Sequence, residues 1–320
     1  MKAIVIVEFG GPEVLGLAEV ETPSPADGQV LVRVKAAGVN PVDTYIRSGI
    51  HAVKPKLPYT PGKDGAGVVE AVGPGVRRFA PGDHVYIADT LTGTYAEYAL
   101  CREDQLGRLP ENVSFEAGAG VFTPYATAYR ALFQKAGAKI GETVLVHGAS
   151  GGVGIAAVQW AKSAGMCVIG TASTEEGRSL AMANGADAVF DHSDDGHYAA
   201  IMEFTDGKGC DVILEMLANV NLENDFEALA KYGRIVVIGS RGSLEFTPRL
   251  AMTKEATILG MSLFNAAPHE MAEIHRAIEN GLETGVVAPV ISKTFTLGEA
   301  PEAHREVIEG KSPGKIVLLT

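Results

Sequence analysis

The chain has 320 residues, 46% hydrophobic and 21% charged, a mixture that excludes a disordered or fibrous polymer and leaves room for two globular domains of ordinary size. Its formal net charge of -12 argues against nucleic acid as a partner, since that affinity depends on clustered Lys and Arg. Cys101, Cys167 and Cys210 are too few and too scattered for a disulfide framework or a CxxC pair, no apolar run nears the roughly 20 residues that cross a bilayer, and the opening MKAIVIVEFGGPE reads as a strand and turn and not as an export signal, so a reducing cytoplasm without a membrane partner is expected.

Up to about residue 120 the sequence reads as short strands broken by turns. Val30 to Ala36 alternates as VLVRVKA, and Gly67 to Val72 and His84 to Ile87 follow, separated by Gly, Pro and Asp clusters. This predicts an all-β unit with Greek-key-like connections. From about Thr143 the pattern becomes apolar strand, helix, apolar strand: TVLVH, Val153 to Ala164, MCVIG, Glu175 to Asn184, DVILEM, Leu222 to Ala230, RIVVIG. Strands this continuously apolar are buried on both faces, which in βαβ order means a doubly wound parallel sheet. Trp160, at helical spacing, is read as core. After about residue 265 come amphipathic helices over Met271 to Glu279 and Glu299 to Glu309, then a last strand, Lys315 to Leu319. A tail of this size has no core of its own and is expected to return to the first region. The predicted class is α/β, with a first domain from residues 1–120 and 263–320 and a Rossmann domain, 121–262, inserted between them.

TVLVH runs directly into Gly148-Ala149-Ser150-Gly151-Gly152-Val153-Gly154 and then into a helix. In that context exposed helix amides and the helix dipole attract a diphosphate. Gly151 would admit the phosphates to the backbone and Gly154 would let the helix pack close to the strand. Ala149 stands at the first glycine of GxGxxG, so the fingerprint is AxGxxG. At the end of the next strand an acidic residue would hold an NAD ribose and repel a 2'-phosphate. Here Thr171, Ala172, Ser173 and Thr174 follow MCVIG. Ser173 is a phosphate donor, with Arg178 and His192 as nearby cationic candidates; Glu175 and Glu176 argue the other way, although the helix start they occupy also explains them. The expected cofactor is NADPH.

Eight segments carry a wider likeness: FGGPEVL, GVNPVDTYIRSG (38–49), PYTPG (58–62), PYATAYRAL (124–132), VHGASGGVG (146–154), GTASTEEG (170–177), EMLANVNL (215–222) and IGSRG (238–242). They span most of the chain, which resembles the zeta-crystallin type of NADPH:quinone oxidoreductase within the medium-chain dehydrogenase/reductase superfamily. The resemblance implies a GroES-like β-barrel catalytic domain beside the Rossmann domain. Zinc-dependent alcohol dehydrogenases of that superfamily hold a catalytic zinc with a cysteine and a histidine, where this chain has Asn40 and Lys63. Neither is a soft zinc ligand, and the four-cysteine structural lobe is missing. Metal-assisted alcohol oxidation gives way to direct reduction of an acceptor that is already electrophilic, a quinone or an enone.

By the same resemblance Tyr45 and Asn40 are the catalytic candidates, Tyr45 also touching the nicotinamide end of the cofactor. Ser150, Gly151, Gly152 and Val153 would cradle the diphosphate, and Ser173 with His192 would face the 2'-phosphate. Asn221, Ile238, Gly239, Ser240 and Arg241 would line the ribose and nicotinamide side, and Met261, Ser262 and Leu263 would reach the carboxamide through their backbone. Thr127 is a nicotinamide candidate that helix packing explains nearly as well, and Tyr45 has an alternative as a barrel aromatic. Asp43 is as readily a cap as a catalytic group. His51 departs from the tyrosine of some relatives. The strand in ATILGMSLF is expected to pair with a second copy, making a homodimer or homotetramer. An enone or alkenal reductase, a structural crystallin-like role and an RNA-binding role remain the alternatives, and hydride and single-electron transfer are not separated by the sequence.

Overall fold

The computed structural model describes residues 1–52, 54–310 and 312–320. The chain divides into two compact units, Met1–Thr123 with Ile278–Thr320, and Pro124–Ala277. Both crossings fall at helices, the first near the start of Phe122–Tyr129 and the second inside Pro268–Thr284. The second crossing therefore comes later than residue 263, because the 17-residue helix has no turn signal at which to part.

In the first unit the strand Gln29–Val39 is the hub. It pairs antiparallel with Asp64–Val72, Tyr98–Arg102 and Lys315–Leu319. The sheet continues outward through His84–Ile87 and Leu106–Arg108 on one side and Ile291–Thr296 on the other. Arg33 and Lys35 are exposed while Val32, Val34 and Ala36 are buried, the period-2 pattern seen in the sequence. Register shifts near Leu31 and Val34 bend the hub. Gly67 opposes Val34, and a Cβ there would lie 2.1 Å from the Arg33 carbonyl; only glycine fits so close an approach. Ile4, Ile6, Val30, Val85, Ile87 and Leu318 form part of the core. The C-terminal strand completes this unit as its central partner.

The second unit is a six-stranded sheet in the order Ala188–Phe190, Cys167–Thr171, Thr143–Val146, Cys210–Glu215, Leu229–Val237, Thr257–Gly260. Every pairing is parallel. The order reverses between Thr143–Val146 and Cys210–Glu215, which is the topological switch point of a doubly wound fold. Leu145, Ile169, Ile213 and Ile235 fill the core against Phe226 and Ile201. Trp160 is buried, its indole donating to the Tyr125 carbonyl at 3.1 Å. One helix expected from the sequence is displaced: Leu222 to Ala230 contains only Asp225–Ala228, and the strand begins at Leu229. Leu229 pairs with Cys210, so a ladder partner distant in sequence captures residues whose local pattern suits a helix.

Candidate functional site

Parallel strands deliver the candidate residues of the second unit to one edge of its sheet. Ser150–Val153 follow the strand Thr143–Val146, Ser173 follows Cys167–Thr171, His192 follows Ala188–Phe190, and Asn221 follows Cys210–Glu215. Ile238–Arg241 follow Leu229–Val237, and Met261–Leu263 follow Thr257–Gly260. All lie past carboxyl ends, where open α/β sheets bind ligands. Thr127 is the exception, buried in the helix Phe122–Tyr129.

The glycine loop separates packing from ligand space. Gly148 takes φ +58, a conformation glycine adopts without cost. A Cβ on Gly154 would meet the Gly148 carbonyl at 2.2 Å, whereas one on Gly151 would meet nothing nearer than that same carbonyl at 3.5 Å. Gly154 is thus required by the fold and Gly151 is not, which leaves its side of the loop open. Gly151 caps the helix Gly152–Ser163 without a side-chain bond, so no capping side chain takes up the first helical amides, the groups to which a diphosphate binds in such loops.

At the tip of Cys167–Thr171, Thr174 caps the next helix by accepting from Gly177 N at 3.1 Å. Glu175 and Glu176 are exposed in that helix's first turn, and Ser173 is exposed. Arg178 donates to the Ser173 carbonyl at 3.2 Å and to Asp191 at 2.8 Å, so it orders the tip. His192 lies 3.4 Å from Thr171 Oγ1, and burial, aided by His147, lowers its pKa. At the far end of the edge, a Cβ on Gly239 would meet the Met216 carbonyl at 2.4 Å, so close packing accounts for that glycine. Asn219 Oδ1 accepts from Arg241 N at 2.7 Å, and the exposed Arg241 makes no ion pair among the described residues. Met261 N donates to Val237 at 3.0 Å and Ser262 caps the turn Leu263–Asn265.

In the first unit, Asn40 and Asp43 form the capping box of the helix Pro41–Arg47, with Asn40 N donating to Asp43 at 2.8 Å. Tyr45 sits on that helix, partly exposed. Asn40 is buried, and both ends of its amide are engaged: Nδ2 donates to Asp64 at 3.0 Å, and Oδ1 accepts from Lys315. Asp64 also accepts from Thr123 Oγ1 at 2.6 Å. Burial raises the Asp64 pKa against the pull of Lys315 and lowers that of Lys315 itself. Burial likewise pushes Asp43 up to about 6. Behind the helix, Arg47 donates to His304 Nδ1 at 3.3 Å, which leaves Nε2–H to donate to Tyr95 at 3.1 Å. Burial beside Arg47 drives the His304 pKa down to about 3. A cavity of about 650 Å³ in this unit is lined by Asp43, Ile46, Tyr59, Lys63, Asp89 and Leu91, among others.

Zinc does not suit the Asn40 and Lys63 pair. The Asn40 amide is committed to Asp64 and Lys315, and the Lys63 ammonium pairs with Asp89 at 2.7 Å; neither offers an imidazole or thiolate donor.

Sequence reasoning overlooked His147, Thr171, Glu215 and Asp225 in the second unit and Asp64 and Lys315 in the first. A visible signal existed for two of them: His147 and Glu215 are polar residues at the ends of the apolar runs 144–146 and 212–214, and buried polar groups demand partners.

Residues 26–134 match the family model of the alcohol dehydrogenase GroES-like domain, and residues 152–280 match that of the zinc-binding dehydrogenases. A human quinone oxidoreductase is 48% identical, covering all of this chain and 98% of the human protein. Among solved structures, an NAD-dependent alcohol dehydrogenase superposes with a TM-score of 0.93 at 34% identity, and Escherichia coli quinone oxidoreductase complexed with NADPH with a TM-score of 0.90 at 29%, each covering both chains completely. Identity of this extent over the whole length, on the same two-unit fold, shows that the chain belongs to the zeta-crystallin-type quinone oxidoreductases of the medium-chain dehydrogenase/reductase superfamily.

Proposed function

We propose that the chain is an NADPH-dependent quinone reductase that works without a catalytic metal. The observation that carries this reading is the edge of the parallel sheet: an open glycine cradle at 151–153 whose glycine at 151 has no packing cause, beside a strand tip that presents Ser173 and no carboxylate. When bound, reduced nicotinamide supplies the reducing equivalents.

The amides at the start of the helix Gly152–Ser163 hold the diphosphate, and Ser173, with a tip ordered by Arg178, receives the 2'-phosphate. His192, whose pKa burial lowers in the free protein, contributes a hydrogen bond. Asn221 and the turns 238–241 and 261–263 hold the ribose and nicotinamide side. Tyr45 orients the acceptor, Thr127 supports the nicotinamide end, and Asn40, with its amide fully engaged, positions the helix that carries Tyr45. The cavity beside Asp43 and Ile46 on that helix has the size of a small-molecule pocket, with apolar walls at Ile46, Tyr59 and Leu91 and charged ones at Asp43, Lys63 and Asp89. A planar conjugated acceptor needs no Lewis acid, which agrees with the donors at 40 and 63.

The strand Thr257–Gly260 ends its sheet with an exposed face, Ile258 included. This supports a homodimer or homotetramer built through it. The cysteines are free, with Cys101 and Cys210 buried, in keeping with a reducing cytoplasm; among the described residues no helix is long and apolar enough to cross a membrane.

The test is steady-state turnover of purified protein with NADPH or NADH and either 1,2-naphthoquinone or an alkenal. The reading requires NADPH and naphthoquinone to give the highest kcat/KM. Faster turnover of the alkenal would assign the chain to enone reduction instead.

A further inference from the structure

At the switch point two neighbouring strands end in polar residues. His147 follows Thr143–Val146, and Glu215 closes Cys210–Glu215. With Asp225 from the helix Asp225–Ala228 they bring one ligand atom each to within 4.8 Å of one another, and all three are buried. His147 Nε2 lies 2.8 Å from Asp225 Oδ1 and 3.6 Å from Glu215 Oε2, and Tyr198 donates to Asp225 Oδ1 at 3.1 Å. The other oxygen of Glu215, Oε1, accepts from Leu217 N and from Asn221 Nδ2, the latter at 3.2 Å. One oxygen of each carboxylate, Glu215 Oε2 and Asp225 Oδ2, has no hydrogen-bond donor.

Such orphans call for a cation or a proton. A zinc-like ion at about 2.0–2.2 Å from both ligands in tetrahedral geometry would hold the imidazole nitrogen and carboxylate oxygen more than about 3 Å apart. The observed 2.8 Å is a hydrogen-bond separation. A proton shared between the Glu215 and Asp225 carboxyls, which lie within hydrogen-bonding reach of one another, would relieve the orphaned oxygens. It also leaves one imidazolium facing one carboxylate, where two buried anions would otherwise share a single cation.

We propose that Glu215, as a neutral acid sharing its proton with Asp225, is a positioning residue for the cofactor: its carbonyl oxygen fixes the Leu217 amide and Asn221 on the ribose side. The proposal rests on the reading of this edge as the NADPH site.

Burial raises the Glu215 pKa to about 7 against the pull of His147, with Asp225 adding to the rise. Burial opposes charge on His147, but Asp225 and Glu215 hold its pKa above the ordinary value. The other groups facing the cluster are Thr171, 3.3 Å from His147 Nδ1, with His192 beyond it, then Tyr198, Glu227 and His197. A folded-state pKa above the ordinary 4.5 means that the proton stabilises the fold at low pH and is lost as pH rises through about 7. Above that point the proton shared by the two carboxyls is gone, and both carry charge in the buried cluster.

The experiment measures the NADPH Kd of the full chain, and its Tm, from about pH 6 to about pH 9 in wild type, Glu215→Gln, Glu215→Ala and Asn221→Ala. Glutamine reproduces the neutral acid: its carbonyl accepts from Leu217 and Asn221, and its amide donates to Asp225. At the low end Glu215→Gln should match wild type within about twofold, while Glu215→Ala and Asn221→Ala bind about tenfold more weakly. At the high end wild type should weaken about tenfold relative to Glu215→Gln and fall below it in Tm. The ratio of the two cancels titration of the cofactor's own phosphate. Affinity lost equally in Glu215→Gln and Glu215→Ala, a Glu215→Gln chain that does not fold, a flat ratio, or one equivalent of divalent metal lost on His147→Ala would each overturn the proposal. Wild type that binds no NADPH at any pH would defeat the functional reading instead, and the Tm comparison would still decide the shared proton.

Discussion

Replacing Lys315 by methionine isolates the charge on which the Asn40 helix is built. Asp64 is fully buried and keeps its bonds from Thr123 and Asn40 in the variant, but loses the ammonium 3.7 Å away. Stranding one member of a buried pair costs about 3–5 kcal/mol. Protonation of Asp64 is the escape. Burial already holds its pKa above the ordinary carboxylate value, and Lys315 is the strongest opposing influence, so the variant raises it further. Between the unfolded and folded values the native state holds a proton that the unfolded chain has released, and stability falls as pH rises, by about 1.4 kcal/mol per unit. Urea unfolding followed by far-UV circular dichroism should therefore show the full loss at about pH 8 and a smaller loss at about pH 5. Lys315→Met combined with Asp64→Asn removes the stranded charge and should recover at least about half of the deficit. A loss below about 1 kcal/mol, or one equal at both pH values, would refute the reasoning.

Gly151→Ala meets no protein atom closer than 3.5 Å, so it should change stability by less than about 1 kcal/mol yet weaken NADPH binding at least tenfold; Gly154→Ala, 2.2 Å from a carbonyl, should lose about 1–3 kcal/mol of stability by the same denaturation assay. Ser173→Asp places a carboxylate at the strand tip and should cut the NADPH over NADH preference in kcat/KM at least tenfold; an unchanged ratio would remove Ser173 from the phosphate site. Dialysis against a chelator should leave naphthoquinone turnover and Tm unchanged, and loss of more than half the activity would restore a metal to the mechanism.

Much of the fold was legible because its signals are local. The alternation in VLVRVKA, the apolar runs TVLVH and DVILEM, and the glycines of GASGGVG each state a periodicity or a backbone need that neighbouring residues suffice to impose. The ordering of Ser150, Ser173, Asn221, Ile238 and Met261 along one edge follows from parallel strands ending on the same side, whereas a cofactor role for most of them came from the resemblance of their segments to the family. What remained hidden was decided by residues far apart in sequence. Lys315 reaches Asn40 across 275 positions, and Asp225 reaches His147 across 78; neither pairing leaves a mark in any local window. Leu229 joins a ladder against its helical surroundings for the same reason. Burial then sets the chemistry of these groups: a carboxylate such as Glu215 looks ordinary in the sequence, and only the low-dielectric interior with its chosen neighbours determines whether it keeps a proton.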